Sequence, residues 1–297
     1  MKKHYKLVTF LSLFVLAALS SCELYNPAEP VPAYIHIQKI DLAIADTTST
    51  PVTGQGTKSS KISDAWVYID DQLIGCFELP ATFPVQYEGS HKLRVRAGIK
   101  VDGIATNRSP YPFYNSVDQT VDLQKGAITN VSVTTSYTSS SVFTFMSDFE
   151  TTGTTLDTTH ASMVPLQILY SATPSPNIFE GNYSAYAKID NVNTFFECET
   201  GSMVLPTHGT PIFLEFNYKC NYAFTVSVLA HGTVSDVPFP ALHFNPSNDW
   251  NKAYLYLTPT VSGASTAINY KIRWGMVNNT HEDSVSLFLD NIKLIHN

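Results

Sequence analysis

Charge is scarce in this 297-residue chain: Asp, Glu, Lys and Arg together make up 14% of it, and the net charge is -7. There is no Lys/Arg cluster and no basic stripe interleaved with aromatics, which argues against nucleic acid as a partner. After Leu19 no segment reaches the roughly 20 apolar residues that a spanning helix needs. Cysteines number four, with no CxxC and no Cys/His spacing suited to zinc. The nine histidines never fall into HExxH, and Gly-x-Ser-x-Gly does not occur. Outside the N-terminus no stretch carries a 3.6-residue apolar period. What is abundant is Tyr (16) and Phe (17), with frequent Thr, Ser and Val. That is the composition of strands, so the expectation is an all-β protein that is not an enzyme.

Lys2, Lys3 and Lys6 precede an apolar stretch, Leu7 to Leu19, and Leu19-Ser20-Ser21-Cys22 follows. A charged start, a short apolar run and small residues before a cut read as a signal peptide over 1–21. Leu-Ser-Ser-Cys resembles the lipobox of bacterial lipoproteins. The resemblance implies that the Cys22 thiol carries a diacylglycerol and that its freed amine is acylated, making membrane lipid a partner. One acyl chain holds weakly, and stable anchoring takes two or more. Residues 22–33 contain Pro27, Pro30 and Pro32 and read as an extended tether. At about 3.5 Å per residue it spans roughly 35–40 Å. Of the other cysteines, Cys76, Cys198 and Cys220, at least one must stay out of an intramolecular disulfide because the count is odd. Cys198 and Cys220 can pair in an exported protein, or all three can serve as small buried hydrophobes.

A first domain is expected over 34–137. Ile35, Ile37, Ile40 and Leu42 suggest a strand with a register change near Lys39, and 46–60 reads as a long loop. Trp66–Ile69 and Leu73–Phe77 flank Asp70-Asp71-Gln72, a hairpin signal. Leu93 and Val95 alternate with Lys92, Arg94 and Arg96. Val117–Leu123 and Ile128–Val133, around Lys125-Gly126, suggest a closing hairpin. Short strands at this spacing imply a small β-sandwich. Val67-Tyr68-Ile69-Asp70-Asp71, Gly75, Pro80 and Gly89-Ser90-His91-Lys92-Leu93 resemble the PEGA and Ig-like modules of bacterial surface proteins, which implies an Ig-like spacer or platform.

The second domain is expected over 142–297, with eight strands beginning at Phe143, Tyr183, Phe195, Ile212, Tyr222, Ala253, Ile268 and Val285. Asp148-Phe149-Glu150, Glu180-Gly181-Asn182-Tyr183-Ser184-Ala185-Tyr186, Phe213-Leu214-Glu215-Phe216-Asn217-Tyr218, Trp250 and Leu289-Asp290-Asn291-Ile292 resemble jelly-roll carbohydrate-binding modules. In many of these a structural calcium ties the first strand to the last. Glu150 and Asp290 occupy the matching positions, with Gly181-Asn182 in a loop that adds carbonyls; a hard ion takes such oxygens. The two domains behind a lipobox resemble lipoproteins of the Bacteroidota, which implies a lipid-anchored protein of the outer membrane, on its surface or its periplasmic face.

Strand alternation marks a candidate ligand face. Ile212, Leu214, Phe216 and Tyr218 share one face and Glu215 and Asn217 the other; Tyr254 and Tyr256 oppose Ala253, Leu255 and Leu257; Lys271 and Arg273 oppose Tyr270, Ile272, Trp274 and Met276. A mixed face of Glu215, Asn217, Tyr254, Tyr256, Lys271 and Arg273 offers flat rings and charged or amide groups, the chemistry sugars need. Against it stands an ordinary solvated sheet face. Trp250 is either an exposed platform or packed on the sandwich edge, Trp274 belongs to the core, and Trp66, which opens a strand, is a core candidate too. Glu197 and Glu199 lie on one strand side but without a cleft, and read as solvated charge. Asp46-Thr47-Thr48, Asp157-Thr158-Thr159 and Asp283-Ser284-Val285 resemble Bacteroidota O-glycosylation sites. The expected function is non-catalytic binding or display with a glycan ligand; the alternative is a structural or adhesion subunit with an envelope protein partner.

Overall fold

The computed structural model describes residues 29–45, 54–151 and 155–297. Cys22, most of the tether and Asp46-Thr47-Thr48 lie outside them. Among the described residues no helix is long and apolar enough to cross a membrane.

The N-terminal half carries ten strands: β1 (Ala33–Ile37), β2 (Ile40–Ala43), β3 (Asp64–Ile69), β4 (Gln72–Glu78), β5 (Ala81–Val85), β6 (Gly89–Lys100), β7 (Arg108–Pro110), β8 (Val117–Leu123), β9 (Ile128–Asn130) and β10 (Val133–Ser136). The break after Ile37 sends β1 and β2 to different partners: β1 pairs with β5 and β9, and β2 with β10. Ile35, Ile37, Ile40 and Leu42 are all buried. β3 and β4 form the expected hairpin, and Asp70 and Asp71 take φ of 49° and 64°. Two consecutive left-handed residues suit a two-residue hairpin turn, whose twist matches the strands. In β6, Leu93 and Val95 are buried while Arg94 bonds Asp118 and Asp71 outside.

The closing hairpin does not form. β8 pairs with β6 in the sheet β4-β3-β6-β7, whereas β9 runs parallel to β1 in another sheet. Gly126, at φ 73°, donates its N–H to Pro32 O and turns the chain across the sandwich. A Lys-Gly signal fixes a turn, not the partner of the strand that follows. Trp66 is also not core. It lies half-buried on the opposite face, over Gly98, where a Cβ would come within 2.9 Å of its ring.

The C-terminal half adds β11 (Val142–Ser147), β12 (Leu156–Thr158), β13 (Gln167–Tyr170), β14 (Tyr183–Ile189), β15 (Phe195–Thr200), β16 (Ile212–Cys220), β17 (Phe224–His231), β18 (Asp236–Phe244), β19 (Ser247–Tyr256), β20 (Asn269–Val277) and β21 (Val285–His296). One sheet has the order β13-β14-β21-β16-β19 with β11 on β21; the facing sheet is β12-β15-β20-β17-β18. The chain is thus an all-β, two-sheet sandwich behind a smaller set of sheets. Between the two large sheets lies a core of Phe196, Leu214, Phe216, Ile272, Trp274 and Leu289. β18 escapes a composition-based reading because Pro238 and Pro240 interrupt it; it is an edge strand, where proline is tolerated. A helical turn, α1 (Thr258–Gly263), starts with Pro259 near its first position, where no N–H is needed.

Cys198 and Cys220 are buried and unpaired, and Cys76 is half-buried and unpaired. Cys198 lies on β15 and Cys220 on β16, in opposite sheets, and both face the core.

Candidate functional site: a covered sheet and an open sheet

The six residues assigned to one mixed face are split between two sheets. Glu215, Asn217, Tyr254 and Tyr256 lie on β16 and β19; Lys271 and Arg273 lie on β20 in the facing sheet. The alternation itself is correct, since Tyr270, Ile272, Trp274 and Met276 are buried. The error is in placing both polar faces together: in a sandwich the outward faces of two sheets point in opposite directions.

The face of Glu215 is covered by the chain's own N-terminal half. Glu215, Asn217 and Tyr254 are 0%, 2% and 2% exposed, and Phe213, Tyr254 and Ile295 pack into the N-terminal core. Tyr111 Oη donates to Glu215 Oε1 at 2.7 Å, and Tyr137 Oη reaches both Glu215 oxygens at 3.1 and 3.2 Å. Lys252 Nζ lies 3.4 Å from Glu215 Oε2. Lys293 Nζ donates to Thr57 O at 2.6 Å and to Tyr137 Oη at 3.3 Å. Ser59 Oγ donates to Asn217 Oδ1, and the Lys61 N–H to Tyr254 Oη. The Tyr111 ring meets those of Phe213 and Tyr254 edge-on, each with centroids 5.1 Å apart. Burial pushes the hydroxyls of Tyr111, Tyr114, Tyr137 and Tyr254 well above the ordinary phenol range, helped by the Glu215 charge. Burial pulls Lys252 down, and pulls Lys293 down to about 7. Of the four predicted residues on the covered sheet, only Tyr256 keeps contact with solvent, 38% exposed.

The open sheet shows its outer face to solvent. Across it run the rows Glu199, Arg273, Ser227 and Glu197, Gly275, Thr225. Arg273 Nε donates to Glu199 Oε2 at 2.6 Å, its Nη1 lies 3.5 Å from Glu197 Oε1, and Lys271 pairs with Glu199. Glu197 and Glu199 are therefore held by cations, and neither stands as a free carboxylate. Thr225 Oγ1 and His243 Nδ1 are 2.8 Å apart. A groove of about 330 Å³ lies at one end, by Tyr222, Thr225, His243 and Gly275. Another of about 230 Å³ lies by Ser202, His231, Asp236 and Lys271. Trp250 is packed on the sandwich edge: its Nε1 donates to Pro176 O, and its ring meets Phe179 and Phe288.

Glu150 and Asp290 bind neighbouring residues, 182–184, at one end of the covered sheet. Glu150 Oε1 accepts the N–H groups of Asn182 and Tyr183 at 2.9 and 3.0 Å. Gly181 lies so close that a Cβ would sit 2.1 Å from that oxygen. Asp290, wholly buried, accepts from Ser184 Oγ at 2.6 Å and from the Asn291 N–H at 2.7 Å. Burial raises its carboxyl to about 7, with the Glu150 charge adding to the rise. Asn291 Oδ1 is buried without a hydrogen-bond partner, while its Nδ2 donates to Glu180 Oε2 at 3.0 Å. No group of three His, Cys, Asp or Glu side chains suited to a metal occurs among the described residues. The two carboxylates and the orphaned amide oxygen are nonetheless the oxygen-only donors that a hard cation takes.

The buried joint carried signals of its own. Ser109-Pro110-Tyr111-Pro112-Phe113-Tyr114 packs three aromatics into a proline-bracketed loop, and Glu215 and Lys293 each stand between apolar neighbours in their strands. Isolated charges in such strings are buried only when paired.

No family model matches the chain, and no curated protein matches it. Solved structures with some likeness include a carbohydrate-binding module of the β-sandwich superfamily, at 13% identity over 89% of this chain and 98% of that one, with a TM-score of 0.38. TmCBM61 in complex with β-1,4-galactotriose covers 48% of this chain and 87% of its own, at 12% identity and a TM-score of 0.30. A family 11 carbohydrate-binding module of a Clostridium thermocellum cellulosomal cellulase covers 50% and 92%, at 13% identity and a TM-score of 0.35. Likeness this low transfers no property to this chain, and the all-β fold stands on its own strand pairing.

Proposed function

We propose that this chain is a non-catalytic binding and display protein, held to the outer membrane by lipid on Cys22, and that the open sheet of its C-terminal half takes a glycan. The observation that carries the reading is the network between two grooves in which partly exposed Arg273, Lys271 and Glu197 are organised around the buried carboxylate of Glu199. Paired charges fix donors and acceptors in place, and sugar hydroxyls bind best to such preset pairs. Gly275 leaves the middle of the face flat, and Tyr222 offers a ring at one groove. The N-terminal half, read as an Ig-like spacer, supports the sandwich and leaves this face free; no hydrogen bond among the described residues joins the two.

A glycan array with the full soluble chain, followed by calorimetry on the best ligand, tests the reading. Arg273→Ala is expected to weaken binding by about tenfold or more, the loss of a charge-assisted hydrogen bond. No glycan retained, together with co-purification of an envelope assembly, would favour the structural-subunit reading instead. Cys22→Ser is expected to move the protein from the membrane fraction to the soluble fraction.

A structural calcium belongs to the same proposal. Asp290, Glu150 and the Asn291 amide oxygen would hold it, and when bound it would offset the cost of ionising Asp290, which burial and the Glu150 charge now oppose. Its role would be to tie β21 to the loop before β14.

A further inference from the structure

A cleft of about 340 Å³ opens between the two halves, apart from the grooves of the open sheet except at His243 and Pro246. The N-terminal half contributes Lys61, Lys100 and Asp102, and the C-terminal half contributes Lys252, Asn251 and the turn from β18 to β19. Leu242, Phe244 and Tyr218 give it apolar surface. The volume lies in the lower part of the roughly 300–1,000 Å³ range of small-ligand sites.

Its charge is unbalanced. Lys61 Nζ donates to the neutral Asn251 Oδ1 and makes no ion pair among the described residues. Burial lowers its pKa, and the nearby Lys100 lowers it further, so two cations share the cleft mouth. Lys100 is anchored from outside by Glu78 at 2.8 Å. Lys252 is 7% exposed, with no hydrogen-bond partner at Nζ and with Glu215, 3.4 Å away, as its one ion-pair partner among the described residues. The one lining carboxylate, Asp102, is engaged by the Tyr256 N–H, and burial pushes its carboxyl upward, away from the charged form. Like charges converging on a partly enclosed space are relieved by an anion between them.

We propose that this cleft binds an anionic sugar residue of the uronic acid class, its carboxylate between Lys61 and Lys100 and its ring against Phe244 and Leu242. Asn251 and Ser247 add polar lining, Asn251 already bonded to Lys61 and Tyr218. The carboxylate sets this ligand apart from a neutral glycan on the open sheet. The site is independent of that reading, because its lysines come from the joint between the halves.

Isothermal titration of the full soluble chain with D-galacturonate, D-galactose and sodium sulfate tests it. Galacturonate is expected to bind, with an affinity that falls as salt rises, and galactose at least about tenfold more weakly. Lys61→Met/Lys100→Met is expected to abolish that preference, and Lys125→Met, a charge removed away from the cleft, to leave it intact. Both lysines of the double variant are solvent-accessible, so its Tm should stay close to wild type; should it unfold, Lys61→Met alone carries the test. No galacturonate binding, or binding unchanged in the lysine variants, overturns the site. Sulfate binding as tightly as galacturonate overturns the sugar assignment.

Discussion

Glu215→Gln is the sharpest probe of the joint. The side chain is wholly buried and accepts hydrogen bonds from Tyr111 and Tyr137 while facing Lys252. The amide keeps the size and one acceptor but removes the carboxylate that, among the described residues, alone faces Lys252 at ion-pair distance. Removing one partner of a buried ion pair typically costs about 3–5 kcal/mol, because the other charge is left without compensation. At roughly 2–4 °C per kcal/mol for a chain of this size, Tm should fall on the order of 10 °C. Lys252→Met in the same background removes the stranded cation. The double variant should therefore be less destabilised than the two single changes summed, by about 1–3 kcal/mol. Calorimetry and urea unfolding of the four proteins provide the cycle. A Glu215→Gln cost below about 1 kcal/mol, or additivity within about 0.5 kcal/mol, would refute the account of the joint as a charge-compensated interface.

Stability should pass through a local minimum near pH 7. Asp290, raised to about 7, keeps a proton in the folded state that the unfolded chain loses near pH 4, so stability falls as pH climbs between those values. Lys293, lowered to about 7, gives up a proton that the unfolded chain keeps until about pH 10, so stability rises again above 7. Asp290→Asn should flatten the acid arm and Lys293→Met the alkaline arm in urea titrations; a monotonic profile would contradict both. Millimolar calcium should raise Tm in wild type and not in Asp290→Asn, as binding to the folded state alone requires. Gly181→Ala should destabilise by more than about 1 kcal/mol, since φ is 67° and the new Cβ would meet Glu150 Oε1; unfolding curves matching wild type would refute that cradle.

Most strands were legible because one face of each is apolar at period two. Leu93 with Val95 and Ile272 with Trp274 show the pattern plainly, and both pairs are buried. Partners were less legible. β8 and β9 look like a hairpin locally, yet they join different sheets, because pairing is decided by which edge remains unfilled. The candidate ligand face failed for a related reason. In β16, Phe213, Glu215 and Asn217 alternate with a buried row as a half-exposed strand would. Alternation reports which residues share a face and does not report what covers it. Glu215 among Ile212, Phe213, Leu214 and Phe216 was the readable clue, since a lone carboxylate there demands partners.

Those partners tie the two halves together. A surface of flat apolar contact alone would let the sandwiches slide, because dispersion has little directional preference. Tyr111, Tyr137 and Lys252 instead converge on one carboxylate, while Lys293 and Lys61 reach backbone or amide groups across the joint. Each such bond is lost by a shift of about an ångström, and each loss leaves a buried polar group unsatisfied. The joint therefore favours one relative orientation of the two halves. With the covered sheet committed to that task, the face of Arg273 and Glu199 lies on the opposite side of the sandwich from the N-terminal half.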